Sequence, residues 1–487
     1  MASLFTRRQL IAGGLGLAGA SLLTGCTSTA PGAMPTASVK VPTAPNLGAP
    51  AVEATLRPRV ATVDLGGVNA TTWVYGDGLP GAEIRAKAGD VIRVLVENAL
   101  PTETSVHWHG IRLHNAADGV PGITQDAIAP GASYAYEFAA PDPGTYFFHP
   151  HSGVQIDRGL YAPLIIDDPA EPGGYDHEWI LVLDDWTDGV GTSPDDILAG
   201  YKAQHGTVSS GMNHDMGGMS GMGSSPLGDV GDIDYPHYLI NGRVPTEPLT
   251  LSAKPGQRAR IRVINAASDT VFRVALGGHQ VTVTHTDGYA VQAQETRALY
   301  VAQGERVDLM VTLGDGVFPF VAAAEGKQGQ GLILIRTGSG TKPAATVHPA
   351  ELDGDPLLLS ALTAADSARL ADKEPDQVEQ VTLNGQMKPY AWGMNGTTFG
   401  NDTPIRTSLG RRLRVQMSNL TMMVHPMHIH GHTWSLPGNG GLRKDTVLVL
   451  PMQTVTADLQ ADNPGIWAYH CHNIYHAEIG MMTTLQY

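Results

Sequence analysis

One ten-residue pattern recurs three times in this chain and constrains its fold more than any other feature. Gly89 to Asn98 reads GDVIRVLVEN, Gly256 to Asn265 reads GQRARIRVIN, and Gly410 to Asn419 reads GRRLRVQMSN. Each copy starts at a turn glycine, alternates apolar positions around a basic residue, and ends on asparagine nine residues later. Alternation with period two marks a strand with one buried face. The copies stand about 150–170 residues apart, the span of one ordinary domain. The 487 residues therefore read as three units of one plan. Gly (58) and Pro (33) punctuate short Val-, Ile- and Thr-rich runs, and long helical patterns are scarce. That predicts an all-β chain of sandwich or barrel units.

A second repeat is incomplete. Pro143 to His151, PGTYFFHPH, closes the first unit, and Pro464 to His472, PGIWAYHCH, closes the third. The middle unit has FPFVAAAEG (318–326) near the matching place, without histidine. Chemistry is thus expected in units one and three. The units are placed at 53–170, 171–345 and 346–487.

The N-terminus reads as an export signal. Arg7 and Arg8 precede an apolar stretch from Leu10 to Leu23, resembling a twin-arginine signal. The stretch ends in Leu23-Thr24-Gly25-Cys26, which resembles a bacterial lipobox. Residues 1–26 are then the signal, with Cys26 carrying a lipid anchor that holds the protein on the extracytoplasmic side of a membrane. Residues 27–52, rich in Ala, Pro, Thr and Ser, read as a flexible tether. An ordinary secretory signal with an incidental cysteine is the competing reading. The net charge of −16 and the lack of a basic stripe exclude an obvious nucleic-acid partner. The acidity reads as solubility, or as attraction for metal cations.

Of 19 histidines, eight form four His-x-His pairs: His107 and His109, His149 and His151, His428 and His430, His470 and His472. On a strand, residues i and i+2 point to one side, so each pair presents two imidazoles to one place. Cys471, between two histidines, points to the opposite face and serves a different metal. His476 and Met481 follow on the next loop, and His425 completes a set of two His, one Cys and a thioether. That is the ligand set of a blue-copper electron-transfer site. The eight paired histidines can hold three further coppers where units one and three meet.

The motifs HWHG (107–110), HPHSG (149–153), HPMHIHGH (425–432) and HCHNIYHAEIGM (470–481) together resemble the multicopper oxidases, a family including laccases, ascorbate oxidase and bacterial cuprous oxidases. The resemblance covers about 53–487. It implies three consecutive cupredoxin-like, Greek-key domains and four coppers per chain. His425, Cys471, His476 and Met481 would ligate the type 1 copper, with Cys471 passing electrons onward. His107 and His428 would ligate the type 2 copper. His109, His149, His151, His430, His470 and His472 would hold the type 3 pair. Dioxygen would be the electron acceptor. Asp118 matches an acid that the family uses for proton delivery; an Asp-Gly turn is the competing reading. Many bacterial members carry another acid directly after the type 1 His. Here that position is Ala477, with Glu478 one later, so that role is not transferred.

Residues 211–223, GMNHDMGGMSGMG, bring Met212, Met216, Met219 and Met222 beside His214. Soft thioethers favour Cu(I), although a plain linker fits as well. Met422, Met423 and Met427 surround His425 as a possible electron-entry rim, with core packing the alternative for Met427. Cu(I) is the expected reductant, for copper tolerance. A broad phenol oxidase and a non-catalytic copper-binding envelope protein are the alternatives. His114, His177, His205, His237, His279, His285, His348 and His432 lack matching partners and are expected to be structural or exposed.

Overall fold

The computed structural model describes residues 44–171, 173–208 and 225–487. The signal (1–26), residues 27–43 of the tether and the Met-rich stretch 211–223 lie outside the described residues.

The chain is built from strands in cupredoxin-like sandwiches, with two short helices among the described residues: α1 (Pro194–Ala203) and α2 (Ile474–Ile479). In the first unit, Val52–Leu56, Val91–Glu97 and Ser133–Ala139 form one sheet. Ile84–Lys87, Ala162–Asp167, Gly144–His149 and His107–His109 form the sheet facing it. Later sequence supplies two six-stranded sheets between His177 and Leu358, then a six- and a five-stranded sheet between Gln377 and Gln486.

The repeated segment holds the same place each time. Val91–Glu97, Arg258–Asn265 and Arg412–Asn419 each pair in parallel with the strand opening their unit. Each pairs antiparallel on its other side, with Ser133–Ala139, Arg306–Thr312 and Thr454–Gln460. The starting glycines have φ of 91°, 80° and 84°, a left-handed turn that a Cβ would strain. The closing asparagines are buried clamps. Asn98 donates to the carbonyls of Thr102 and Ile128, Asn265 to Thr270 and Val301, and Asn419 to Met423 and Val449. Each also accepts from the amide two residues on, so one amide side chain satisfies three buried backbone groups.

Among the described residues, the edge strand His107–His109 pairs only with Gly144–His149, leaving its far side for the third unit. There Asn115 donates to the carbonyl of Ile466 and Asn463 to that of Leu113. Gly465 leaves room for Asn115, since a Cβ would meet it at 2.4 Å. The first and third units therefore close on each other around the paired histidines.

Candidate metal centres

Strand His425–Ile429 runs antiparallel to Ile466–Cys471, with Met427 opposite Cys471 and His428 opposite His470. Alternation sorts these side chains onto two faces. His425, Met427 and Cys471 share one face; His428 and His470 share the other.

On the first face, the Cys471 sulfur lies 3.7 Å from His425 Nδ1 and 3.6 Å from His476 Nδ1. Residues 474–479, expected as loop, form helix α2 instead. Asn473 caps it by accepting from the amides of Tyr475 and His476. The helical turn is what brings His476 back over the sulfur. Met481 is fully buried, and its carbonyl accepts from the Cys471 amide at 3.0 Å. The far nitrogens of both imidazoles are held. His425 Nε2 bonds the Thr421 hydroxyl at 2.9 Å, and His476 Nε2 donates to Asp232 at 3.0 Å. Both Nδ1 atoms thus face the sulfur. Burial opposes charge on His476, but Asp232 and Cys471 outweigh it and hold its pKa up at about 10. A metal at this place would displace the His476 proton, since only neutral imidazole is a ligand.

On the second face, three histidine triads have their donor atoms within 4.8 Å: His107, His109 and His428; His109, His149 and His472; His151, His430 and His470. All are buried except the half-buried His151. The members of each His-x-His pair reach the same cluster, but the pairs at 149/151, 428/430 and 470/472 divide between triads. One His-x-His pair can therefore serve two neighbouring triads and not one. Backbone carbonyls fix the tautomers. His107 Nδ1 donates to the Asp118 carbonyl, His428 Nδ1 to Asp445, His149 Nδ1 to Pro150, and His470 Nδ1 to Cys471. The opposite nitrogens are left as acceptors facing one another. His470 Nε2 lies 3.0 Å from His430 Nε2 and 3.3 Å from His151 Nε2. Two lone pairs cannot bond each other. Two imidazoles on one metal, at roughly 2 Å each, stand about that far apart. The Nε2 atoms of His107 and His428 and both ring nitrogens of His472 are buried without a hydrogen-bonding partner among the described residues. Burial, aided by neighbouring imidazoles, holds His109, His149, His151, His430 and His472 well below the ordinary imidazole range and pushes His470 down to about 3. Neutral imidazole is the metal-binding form. The donors thus fit a cluster of copper ions.

Asp118 sits at the rim. It accepts from His430 Nδ1 at 3.0 Å, and its other oxygen lies 3.2 Å from His107 Nδ1. Glu478 faces away, 3.8 Å from Lys202. Met423 and Met427 are core residues, whereas Met422 is 52% exposed. His432 is buried between the His430 carbonyl and the Tyr487 hydroxyl, and His279 bridges Gly277 and Gly314.

Three multicopper-oxidase family models match the chain, at residues 59–171, 177–340 and 372–487. The chain belongs to the multicopper oxidase family and is a copper-binding oxidase. It is 48% identical to the multicopper oxidase MmcO of Mycobacterium tuberculosis H37Rv, over 99% of this chain and 97% of that protein. It is 30% identical to a copper resistance protein A homologue of Pseudomonas syringae pathovar tomato DC3000, over 86% of this chain and 89% of that one. A multi-copper oxidase crystal structure from Pseudomonas thermotolerans superposes with a TM-score of 0.68 at 26% identity, covering 90% of this chain and all of that one.

Sequence reasoning missed Asp232, Thr421 and Asp445, which hold the outer nitrogens of the histidines. Asp232 lies 244 residues from His476 and Asp445 lies 336 from His109, so neither belongs to a local spacing.

Proposed function

We propose that this oxidase takes single electrons from Cu(I) and reduces dioxygen to water: His425, Cys471, His476 and Met481 would hold the type 1 copper that accepts the electrons, and the paired histidines would hold the trinuclear cluster that meets dioxygen. His107 and His428 hold the type 2 copper. His109, His149, His151, His430, His470 and His472 hold the type 3 pair. Bound copper supplies the redox chemistry: four Cu(I) oxidised to Cu(II), one dioxygen and four protons becoming two waters. The carrying observation is the peptide 470–472, whose sulfur lies against His425 and His476 while its two imidazoles lie in the cluster triads. The chain's own backbone spans the two centres.

The protein's residues set the rest. Asp232 and Thr421 orient the type 1 imidazoles. Asp118, touching a ligand of each cluster type, holds the proton-delivery position. Cu(I) as reductant is supported by thioethers near the electron-entry face. Met422 and Met452 are 52% and 46% exposed. Met422 and Pro451, which precedes Met452, both flank Gly228. The neighbouring Asp229 has a buried oxygen with no hydrogen-bonding partner among the described residues. Soft thioether sulfur suits a cuprous ion. His476 is fully buried behind Asp232 and stacks on Trp392, so it offers no open imidazole edge to a phenol ring. Resistance to copper is named for the relatives at 30% identity and below. Export and lipid anchoring at Cys26 complete the reading, placing the oxidase where external copper is met; loss of membrane partition in Cys26→Ala tests it.

Oxygen uptake by one copper-loaded preparation with Cu(I), Fe(II) and a panel of phenols tests the assignment. Highest turnover with Cu(I), reduced by Met422→Ser with Met452→Ser, is expected. A phenol turned over faster than Cu(I) overturns the substrate. A copper-loaded protein without a blue band overturns the type 1 site.

A further inference from the structure

The middle unit carries no histidine of the triads, yet it reaches the cluster. Gly304 lies against it: a Cβ there would meet His472 at 2.9 Å and His109 at 3.0 Å. Two residues on, the fully buried Arg306 forks onto Asp445 of the third unit, at 2.7 and 2.6 Å. The same Asp445 accepts from His109 Nε2 of the first unit at 3.1 Å, and its carbonyl accepts from His428 Nδ1 at 3.1 Å. One residue therefore touches a type 3 and a type 2 histidine while being held by the unit that supplies no histidine to the triads.

The guanidinium is held by further contacts. It also donates to the carbonyls of Thr145 and Gly304 and lies over the Tyr146 ring. Gly110, the glycine of HWHG, explains itself here: its φ is +86°, and a Cβ would meet Arg306 Nη2 at 2.4 Å and Asp445 Oδ2 at 2.6 Å. Next door, buried Lys444 joins Asp287 and Glu305 at 3.0 and 3.1 Å. Asp287 in turn accepts from the amides of Arg306 and Thr446. Burying so many charges is expensive, and apolar replacements of such pairs are often neutral or better for stability. Retaining them is better explained by orientation. With Nε2 of His109 committed to Asp445, the ring must offer Nδ1, which lies 3.5 Å from His149 Nε2 inside its triad.

We propose that Arg306 of the middle unit is a positioning residue for the trinuclear cluster: it fixes the Asp445 carboxylate so that His109 turns Nδ1 toward the metals. This rests on the reading of the paired histidines as cluster ligands. The middle unit then has a job in the oxidase besides joining its neighbours. An outer partner that orients a metal-bound histidine typically carries 10–100-fold in metal affinity or activity.

The test compares full-length, copper-loaded wild type with Asp445→Asn, Arg306→Met and Arg306→Lys. Readouts are copper per chain, the near-ultraviolet band of the coupled pair, the type 2 electron-paramagnetic-resonance signal, and the blue band as internal reference. The blue band per folded chain should stay at the wild-type level in every variant. The near-ultraviolet band and oxygen uptake should fall about 10–100-fold in Asp445→Asn and Arg306→Met. Arg306→Lys should fall less, since a single ammonium replaces half of the fork. If Arg306→Met does not fold, the nearly isosteric Asp445→Asn carries the decision. Variants keeping both cluster signals and uptake within about twofold of wild type overturn the proposal. So does parallel loss of blue band and cluster signals, which marks a purely structural role. A wild type lacking cluster signals sinks the ligand assignment itself, a distinct failure.

Discussion

Asp232, from the middle of the chain, accepts a 3.0 Å hydrogen bond from Nε2 of His476, a residue 244 positions later. It also accepts from the Tyr390 hydroxyl at 2.5 Å. It is thus the outer anchor of an imidazole proposed as a type 1 ligand. Asp232→Asn keeps the shape and removes the charge. The expected outcome is a retained blue band with substrate kcat/KM lowered about 10-fold, as for other outer-sphere partners. Stopped-flow bleaching of the blue band measures it; unchanged rates would contradict the role.

Cys471→Ser replaces the thiolate by a weak hard donor. The side chain is buried beside Met427 and Met481 and close to isosteric, so the cost in stability is on the order of 1 kcal/mol. The blue absorption and oxidase activity should vanish while circular dichroism stays native. Retained colour would remove the type 1 assignment.

Asp118→Asn keeps the hydrogen bond available to His430 and removes a carboxylate that can carry a proton. General acid–base groups contribute about 10²–10⁴-fold. Steady-state oxygen uptake should fall within that range, while bleaching of the blue band by substrate under anaerobic conditions proceeds at the wild-type rate. Slowed anaerobic bleaching would place the defect elsewhere.

Gly110→Ala puts a Cβ into the Arg306–Asp445 pair and forces a side chain into left-handed backbone. Backbone strain alone costs about 1–2 kcal/mol, and overpacking adds about 1–3 kcal/mol. Denaturant unfolding of the copper-free protein should register a loss of roughly 2–5 kcal/mol.

Burial pushes His432 down to about 4 from an ordinary 6.5. An unfolded chain takes up a proton at this residue below 6.5 that the folded chain refuses until about 4. The stability from neutral His432 is therefore present above pH 6.5 and is lost as pH falls toward 4, about 3 kcal/mol in all. In copper-free His432→Gln the drop in stability between pH 7 and 4 should shrink by that amount. Denaturant midpoints at the two pH values provide the check, and an unchanged drop would contradict the assignment.

Much of this protein was legible in the order of its residues. The three Gly-to-Asn segments gave three sandwiches because strand alternation is local chemistry. Their asparagines proved to be backbone clamps, a role the spacing did not reveal. Cys471 between His470 and His472 foretold two centres on opposite faces for the same local reason. Where local logic was insufficient, the reading slipped: 474–479 was expected as loop, but the Asn473 cap makes it a helix. The division of the 149/151, 428/430 and 470/472 pairs between triads follows the packing of units one and three. Asp232, Arg306 and Asp445 were invisible, since each acts on a histidine far away in the chain. Spacing along a strand fixes which way a ligand points. The partner that fixes its tautomer is chosen by tertiary contact, because burial leaves each outer ring nitrogen in need of whichever acceptor the folded units bring beside it.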